Sequence, residues 1–522
     1  MPSICAIGGD TISYKKPGTD NAESLYLGKE KLYFLFMRLH LMRYVCALLC
    51  LWSGLLLAGE TSDPFDTEAM LPLKPALRLN GAVGDPCAGA MPSGALNLTD
   101  VVNLALCNNP QTREVWASSR SQAAQVGASK GSYLPGASLN VSGNRNSPGS
   151  NQRSFGVSLS YLLYDFGTRA ANLENARQLL AAAYATQDST VQAVFLSAVQ
   201  SFYQTQATIA ALDAARESER AAKESFAAAQ ARYLAGSATP ADKLSAQTAY
   251  SQATLNRIAA DGGMKNAKGG LANMLGLDAN QNVALVAAEG FSASSNPLSP
   301  ALSREGKRGE QEALKIFERD VAALIEEARQ RRPDLQAAAA QVKASEASAD
   351  AARAATKPSI SLTASTNQEN SAGINSHDSS VGLSVSVPIF AGYAPTYRVR
   401  AAEAQVEAQK ARLEGLRLKV ALDVWTAYQN LTTATQSLRS TDDLFSSAEQ
   451  SERVALGRYK AGVGNILDVL NAQSALASAR QQRIQSTFNW NVSRATLAQA
   501  MGNLDADLLQ SLPGQKTGYK EP

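Results

Sequence analysis

The sequence predicts a mainly α-helical chain that also carries membrane β-strands and is built as an internal tandem duplication. The segment "RYLAGSATPADKLSAQ" at 232–247 returns as "RYKAGVGNILDVLNAQ" at 458–473, with eight of 16 positions identical. A run of 68 residues, 168–235, contains neither Gly nor Pro. Short segments of alternating apolar and polar residues precede each copy of this pattern, and a period of two indicates a strand.

Composition bounds the chemistry of the chain. The 522 residues carry 49 basic and 46 acidic side chains, so the net charge of +3 favours neither nucleic acid nor an acidic partner. Histidine occurs only as His40 and His377, which argues against a histidine-based triad or metal cluster. No glycine-rich phosphate loop follows a strand. The sequence therefore predicts no enzyme and no catalytic, cofactor-binding or metal site.

The N-terminal region is typical of exported proteins. Residues 1–36 match no targeting pattern and are interpreted as an extension from an upstream start codon. Residues 37–58 combine a basic start with a 15-residue apolar run, 44–58, which predicts a signal peptide. A single membrane anchor is the alternative, although about 20 apolar residues are needed to span a bilayer. Residues 59–94 are interpreted as an N-terminal linker.

Export also bears on the cysteines. Cleavage near Ala58 leaves Cys87 and Cys107 in the mature chain. An oxidising compartment permits a disulfide between them, and two unpaired thiols are the alternative. Cys50 follows "ALL" rather than the small residue that precedes a lipidated cysteine.

The duplication covers most of the chain. Upstream matches such as Pro110 with Pro333 are 223 residues apart, whereas Gly156 and Gly382 are 226 apart. A change in length belongs in a loop, and polar stretches at 142–154 and 365–380 lie in this interval. The predicted divisions are a first repeat at 95–280, a linker with an equatorial insertion at 281–325, a second repeat at 326–505 and a tail at 506–522.

Each repeat has the same predicted order of elements. A helical stretch of about 30 residues ends before a proline, and two alternating segments follow it. The alternating segments are 137–142 and 154–164 in the first repeat, and 359–365 and 380–390 in the second. Their apolar face, opposed by Ser and Gly, is typical of a membrane barrel around a wet lumen. A half-buried soluble sheet is the alternative.

The longest helices are predicted at 168–235 and 394–461. The repeated phrase is the turn that ends each of them, because Gly236 and Gly462 suit the left-handed C-cap position. In the first copy Thr239 is the expected N-cap, followed by Pro240 and by Asp242 in the first turn. A second helix then returns antiparallel to the first.

This order of elements resembles the TolC family of bacterial outer-membrane channels. The resemblance rests on the duplication, on "RYKAGVGNILDVLNAQSALASAR" with its shorter echo and on "VPIFAGY" before the second long helix. It covers roughly residues 95–505. It implies a homotrimer in which four strands per chain form a 12-stranded barrel, continued by an antiparallel coiled-coil tunnel in the periplasm. The tunnel is expected to dock on a periplasmic adaptor and an inner-membrane pump.

The resemblance also implies a gate at the tip of the tunnel. Asp242 and Tyr459 are expected to share a tip contact, and Asp468 to face the narrowest lumen. Gly464 and Asn471 stand where relatives carry a gate-locking Arg and a second acidic residue, so a looser closed state is expected. Helix N-terminal charge complementarity is the alternative role of both aspartates. The candidate tip residues are Tyr233, Gly236, Asp242, Tyr459, Gly462, Gly464, Asp468 and Asn471.

The predicted function is that of a passive exit duct in the outer membrane, in contact with its lipid. Type I secretion of a protein with an ABC transporter and an adaptor is favoured, because the chain lacks the lipid-anchor cysteine of many efflux relatives. Multidrug efflux is the first alternative, and an exported coiled-coil structural protein without a pore is the second.

Overall fold

The computed structural model describes residues 63–67, 69–70, 94–146, 150–281, 283–286, 321–371 and 374–504. The helices and strands described below all belong to one unit, residues 65–522. The predictions for the N-terminal extension, the signal peptide, Cys87 and the C-terminal tail fall outside the described residues.

The described residues form two matching series of four helices and two strands. The first series is α1 (Leu98–Asn108), α2 (Pro110–Gly131), β1 (Gly136–Asn146), β2 (Ser150–Tyr164), α3 (Thr168–Leu234) and α4 (Pro240–Met274). The second series is α5 (Val321–Arg331), α6 (Pro333–Ala354), β3 (Ser359–Ser371), β4 (Ile374–Ser386), α7 (Ala394–Lys460) and α8 (Ile466–Ala500).

Corresponding helices have identical lengths in the two series. α1 and α5 have 11 residues, α2 and α6 have 22, α3 and α7 have 67, and α4 and α8 have 35. The helices before the strands start 223 residues apart, and those after the strands start 226 apart. The change of offset therefore lies in the β-hairpins, as the sequence predicts. α5 begins inside the segment assigned to the linker.

A proline divides each helical stretch that precedes the strands. Pro110 and Pro333 are the first residues of α2 and α6, where the missing backbone N–H costs no helical hydrogen bond. Asn109 has an extended backbone and its side chain accepts from the backbone N–H of Gln111 at 2.9 Å. The helical stretch of about 30 residues expected from the sequence is therefore divided into two helices at this residue.

The four strands form one antiparallel sheet in the order β1-β2-β3-β4. One face carries exposed apolar side chains, including Val141, Phe155 and Val381. The other face carries hydroxyl groups that pair across the strands, with Ser142 Oγ 2.6 Å from Ser154 Oγ and Ser365 Oγ 2.9 Å from Ser380 Oγ. The alternation predicted from the sequence is thus confirmed as a two-faced sheet.

Two details of the strands differ from the sequence prediction. The polar stretches at 142–154 and 365–380 are mostly strand, since β1 extends to Asn146 and β3 to Ser371. β4 ends at Ser386, so the predicted strand residues Val387 and Ile389 lie beyond it. Pro388 explains this end, because proline has no N–H for the ladder and restricts the residue before it.

The core lies where the short helices pack against the long ones. In the first series Leu98, Leu106, Phe202, Tyr203 and Leu271 are fully buried together. The Phe202 and Tyr203 rings meet edge to face at 5.4 Å. Burial raises the pKa of the Tyr203 hydroxyl, so the phenol stays neutral in the core. An equivalent cluster in the second series comprises Leu324, Leu335, Val420, Val424, Leu431 and Leu497.

The long helices extend far beyond this core. At 1.5 Å per residue, each 67-residue helix spans about 100 Å. The helix α4 is continuous through Gly262, Gly263, Gly269 and Gly270, so these glycines do not interrupt it. Among the described helices, none is both long enough and apolar enough to cross a bilayer.

Gly276 supplies a test of the fold. It lies just after α4 with φ of +73°, and a Cβ there would be 2.7 Å from the carbonyl oxygen of Asn108. We expect Gly276→Ala to lower the unfolding free energy by about 2–4 kcal/mol through left-handed strain and overpacking. Thermal unfolding followed by far-UV circular dichroism measures the change.

Gly262→Ala is the matched control, because Gly262 lies in α4 and a Cβ added there would have no atom within 4 Å. Alanine there should stabilise the helix by about 0.5–1 kcal/mol. Equal thermal midpoints for the two variants would contradict the strain argument.

Candidate gate at the helical tip

Both long helices end in the same glycine turn. Gly236 has φ of +72° and Gly462 has φ of +82°, which confirms the predicted left-handed position. In the first turn Gly236 N–H donates to Tyr233 C=O at 3.0 Å and Ser237 N–H donates to Arg232 C=O at 2.9 Å. The second turn repeats both bonds. This double closure reverses the chain at once, so the return helices run back along the long ones.

The first return helix begins with a complete capping box. Thr239 N–H donates to Asp242 Oδ2 at 2.9 Å, and Asp242 N–H donates to Thr239 Oγ1 at 3.2 Å. The Thr239 hydroxyl also donates to Asp242 Oδ2 at 2.8 Å. These hydrogen bonds, the backbone one first, hold the pKa of the Asp242 carboxyl below its usual value. The predicted cap is confirmed.

The second return helix begins differently. Asn465 is its N-cap, and its side-chain oxygen accepts from Leu467 N–H at 3.1 Å. Asp468 occupies the helical position that Asp242 holds in the first copy, but it is exposed on the surface of the chain. Asn471 is exposed one turn further along. Their role at the narrowest lumen stays a prediction.

A contact between an arginine and a tyrosine joins the two helix pairs at the tip, and we call it the tip bridge. The Arg232 guanidinium donates to the backbone oxygen of Tyr459 at 2.5 Å and lies over the Tyr459 ring at 4.1 Å. Tyr459 is buried against Ala229, Ala246 and Ile466. Arg232 belongs to α3 and Tyr459 to α7, so the bridge links the two copies of the repeated turn.

Two further contacts between the helix pairs lie farther from the turns than the tip bridge. Ser225 of α3 exchanges hydrogen bonds with Gln473 of α8 at 3.1–3.3 Å. Glu217 of α3 forms an ion pair with Arg480 of α8 at 3.1 Å. A cleft of about 420 Å³ lies between these helices and is lined by Glu217, Gln473 and Arg480 among others. The helix pairs are therefore joined here by hydrogen bonds and an ion pair, and nearer the tip also by the apolar cluster around Tyr459.

The structure assigns different partners to the predicted tip residues. Asp242 is held by Thr239, and Tyr459 is held by Arg232. Their expected contact with each other stays a prediction. Tyr233 is partly exposed, with the Lys243 ammonium 5.4 Å from its ring centroid.

The structure gives a reason for glycine at position 464 that the sequence did not reveal. A Cβ at this position would be 3.0 Å from Tyr459 N and 3.1 Å from the carbonyl carbon of Arg458. The chain therefore passes directly over the end of α7, and a larger residue would displace the turn. The effect of Gly464 on the strength of the gate stays a prediction.

Arg232 is the functional candidate that the sequence did not reveal. Its place just before the C-cap indicates by itself only a favourable interaction with the helix dipole. The available signal was that Arg and Tyr recur in both copies of the phrase. Pairing Arg232 with Tyr459 requires the packing of two helices whose contacting residues are 227 apart in the chain.

The described residues offer no metal site and include one disulfide-bonded cysteine. Within the described residues, no group of three or more His, Cys, Asp or Glu side chains could hold a metal ion. Cys107 is disulfide-bonded, but Cys87 lies outside the described residues, so their pairing stays a prediction.

Comparisons with known proteins agree with this architecture. The chain matches the family model described as outer membrane efflux protein over residues 101–277 and 324–503. It is 29% identical to "Protein CyaE" of Bordetella pertussis over 430 residues, which are 80% of this chain and 86% of the relative. It is 23% identical to "Outer membrane protein TolC" of Vibrio cholerae, with 82% and 95% covered. The crystal structure of the Campylobacter jejuni CmeC outer membrane channel has a TM-score of 0.65 at 17% identity, covering 84% of this chain and 98% of that one.

The tip bridge can be tested by Arg232→Ala. Losing a charged hydrogen bond and a cation–π contact removes about 2 kcal/mol, which favours the open tip by more than tenfold. We expect a higher single-channel conductance of the purified protein in planar bilayers, with faster hydrogen exchange around the turn.

Lys243→Ala is the matched control for the tip bridge. Lys243 also lies near a tyrosine ring, that of Tyr233, but both residues belong to the first helix pair. Its conductance should stay at the wild-type level. An equal conductance change in both variants would contradict the role of the tip bridge as a gate contact.

The capping box predicts a pH dependence at the first turn. The folded-state pKa of Asp242 lies below its ordinary value of 3.8, so its carboxylate stabilises the cap above that pH. This stabilisation is lost as the pH falls through the lowered pKa. Compared with Asp242→Asn, the wild type should therefore exchange amide hydrogens of the turn more slowly at about pH 5 and nearly equally at about pH 2.

Asp468→Asn tests the specificity of this effect. Asn465 caps that helix, so the substitution should leave hydrogen exchange in the second turn nearly unchanged. A protection difference for Asp242→Asn that persists undiminished at the lower pH would show that the carboxylate charge is not responsible.

Proposed function

Because the chain belongs to the outer membrane efflux protein family, we propose that it is the exit duct of a tripartite machine that secretes a protein, such as a toxin. The protein lies in the outer membrane and its helices extend into the periplasm. The partners in this proposal are an ABC transporter in the inner membrane and a periplasmic adaptor. The duct is passive, and the transporter supplies the energy.

Three copies of the chain form the duct in this proposal. The sheet order leaves one edge of β1 and one edge of β4 without a partner strand among the described residues. Unpaired backbone groups are too costly in lipid, so closure needs strands from other copies. Three copies supply the 12 strands of the expected barrel. α7 supports the same assembly, because Leu418, Leu422 and Trp425 are 50–66% exposed along one face of this helix.

The observation that carries the duct proposal is the continuity of membrane strands with long helices. In each series the second strand is followed within a few residues by a 67-residue helix, at Thr168 and at Ala394. A closed ring of strands therefore continues directly as a ring of helices. An exported coiled-coil protein without a pore needs no such two-faced sheet, so that alternative loses its support.

The exposed face of α8 supports a polypeptide as cargo. Beyond Asp468 this face carries uncharged residues at helical spacing, namely Asn471, Ala475, Ser478, Gln482, Gln485 and Asn489. In this proposal Asp468, and with it this face, lies toward the lumen, as the resemblance to the channel family implies. A neutral polar wall binds neither acidic nor basic side chains strongly, which suits an unfolded chain of mixed sequence. The sequence before Cys50 supports the same choice, since a leucine stands where a small residue precedes a lipidated cysteine.

Multidrug efflux is the alternative, and the description of the family itself supports it. A wide wet lumen discriminates weakly between cargos, so the pump and the adaptor would decide which one enters.

Gene deletion distinguishes the two cargos. We expect the deletion strain to lose one large protein from the medium while drug susceptibility stays at the parental level. Complementation with the wild-type gene should restore secretion. An unchanged set of released proteins together with sensitised cells would replace protein secretion by efflux.

A further inference from the structure

Charge is segregated between the two faces of the sheet near its hairpin ends. Register places Arg145 of β1 and Arg153 of β2 on the apolar face, together with Val141 and Phe155. It places Glu369 of β3 on the opposite face. Asp378 of β4 lies on that face too, since it is paired with Asn367. The cations therefore face outward and the carboxylates face inward at the same end of the sheet.

The two arginines lie just beyond the apolar band. Phe155 and Val141 form its last row, and both are more than half exposed. Arg153 is two residues past Phe155, which is about 7 Å along the strand. Hairpin ends point away from the helices, and the helices extend into the periplasm. This end of the sheet therefore reaches the outer leaflet, with the arginines at the level of the lipid headgroups.

Arg145 and Arg153 are close enough to act together. Gly143 pairs with Arg153 and Arg145 pairs with Asn151, so the two arginines are diagonal neighbours. Diagonal neighbours on a sheet are about 7–8 Å apart, within reach of one ligand for long side chains. Both arginines are exposed. The nearby side chains on this face of the described strands are neutral amides and His377, and no carboxylate lies among them.

We propose that Arg145 and Arg153 form a site for the phosphate groups of an anionic glycolipid in the outer leaflet, of which lipid A is the probe. An arginine guanidinium matches phosphate in bidentate geometry and forms charge-assisted hydrogen bonds with it. Two exposed cations beside an apolar band match a ligand with phosphates above acyl chains. The carboxylates do not compete, because the sheet separates them from this face.

The test measures binding of phosphorylated lipid A to the purified full-length protein in detergent by native mass spectrometry. The double variant Arg145→Gln/Arg153→Gln should bind about tenfold more weakly, as expected for lost charge-assisted hydrogen bonds. Dephosphorylated lipid A should bind the wild type about as weakly as the phosphorylated form binds this variant. Arg145→Lys/Arg153→Lys should bind with an affinity between those of the wild type and the double Gln variant, because the charge remains but the bidentate geometry is lost.

Glu369→Gln is the matched control, since it changes a charge at the same end of the sheet on the opposite face. Its affinity for phosphorylated lipid A should equal that of the wild type. Equal binding of both lipid forms by the wild type would overturn the proposal without any variant. Wild-type affinity in a correctly folded double Gln variant would overturn it as well.

Discussion

An unpaired strand edge cannot face lipid, and this constraint determines how the chain is used. The four strands pair completely with each other but leave β1 and β4 open on one side within the described part of the chain. In water such an edge can be solvated, whereas in a bilayer each orphan N–H or C=O group costs several kcal/mol. In the proposed trimer, assembly with other copies is then part of folding in the membrane. The long helices then follow the same circular arrangement as the strands in that trimer, because each strand pair leads into a long helix.

Local chemistry explains how much of the structure the sequence could predict. The glycine turns and the Thr239–Asp242 cap were predictable, because every atom involved lies within a few residues. The equal helices of the two halves were predictable because the repeat preserves its spacing over most of the chain. The strand lengths were not, because Asn- and Ser-rich ends resemble loops until their hydroxyl groups pair across strands, as in Ser142 with Ser154.

The candidate gate was less predictable than the fold. The Arg232–Tyr459 contact depends on how the two helix pairs meet at the tip, and no local pattern encodes it. The two turns also differ in ways that duplication alone would not suggest. The first has a capping box at Asp242, whereas the second has Asn465 and the closely packed Gly464. The two turns therefore have the same backbone conformation but different capping residues. A rearrangement at the tip need not involve both helix pairs equally.

The matched helix lengths restrict how this protein can change in size. Inserting one residue into α3 would rotate everything beyond it by about 100° and advance it by about 1.5 Å relative to α7. Side chains that now meet across the helix pairs, such as Glu217 and Arg480, would then lose their register. Only insertions of about seven residues, or a multiple of seven, keep the same helix faces together, and they must be made in α3, α4, α7 and α8 alike. The periplasmic reach of the protein is therefore adjustable in coarse steps of about 10 Å, each requiring coordinated changes in both halves of the chain.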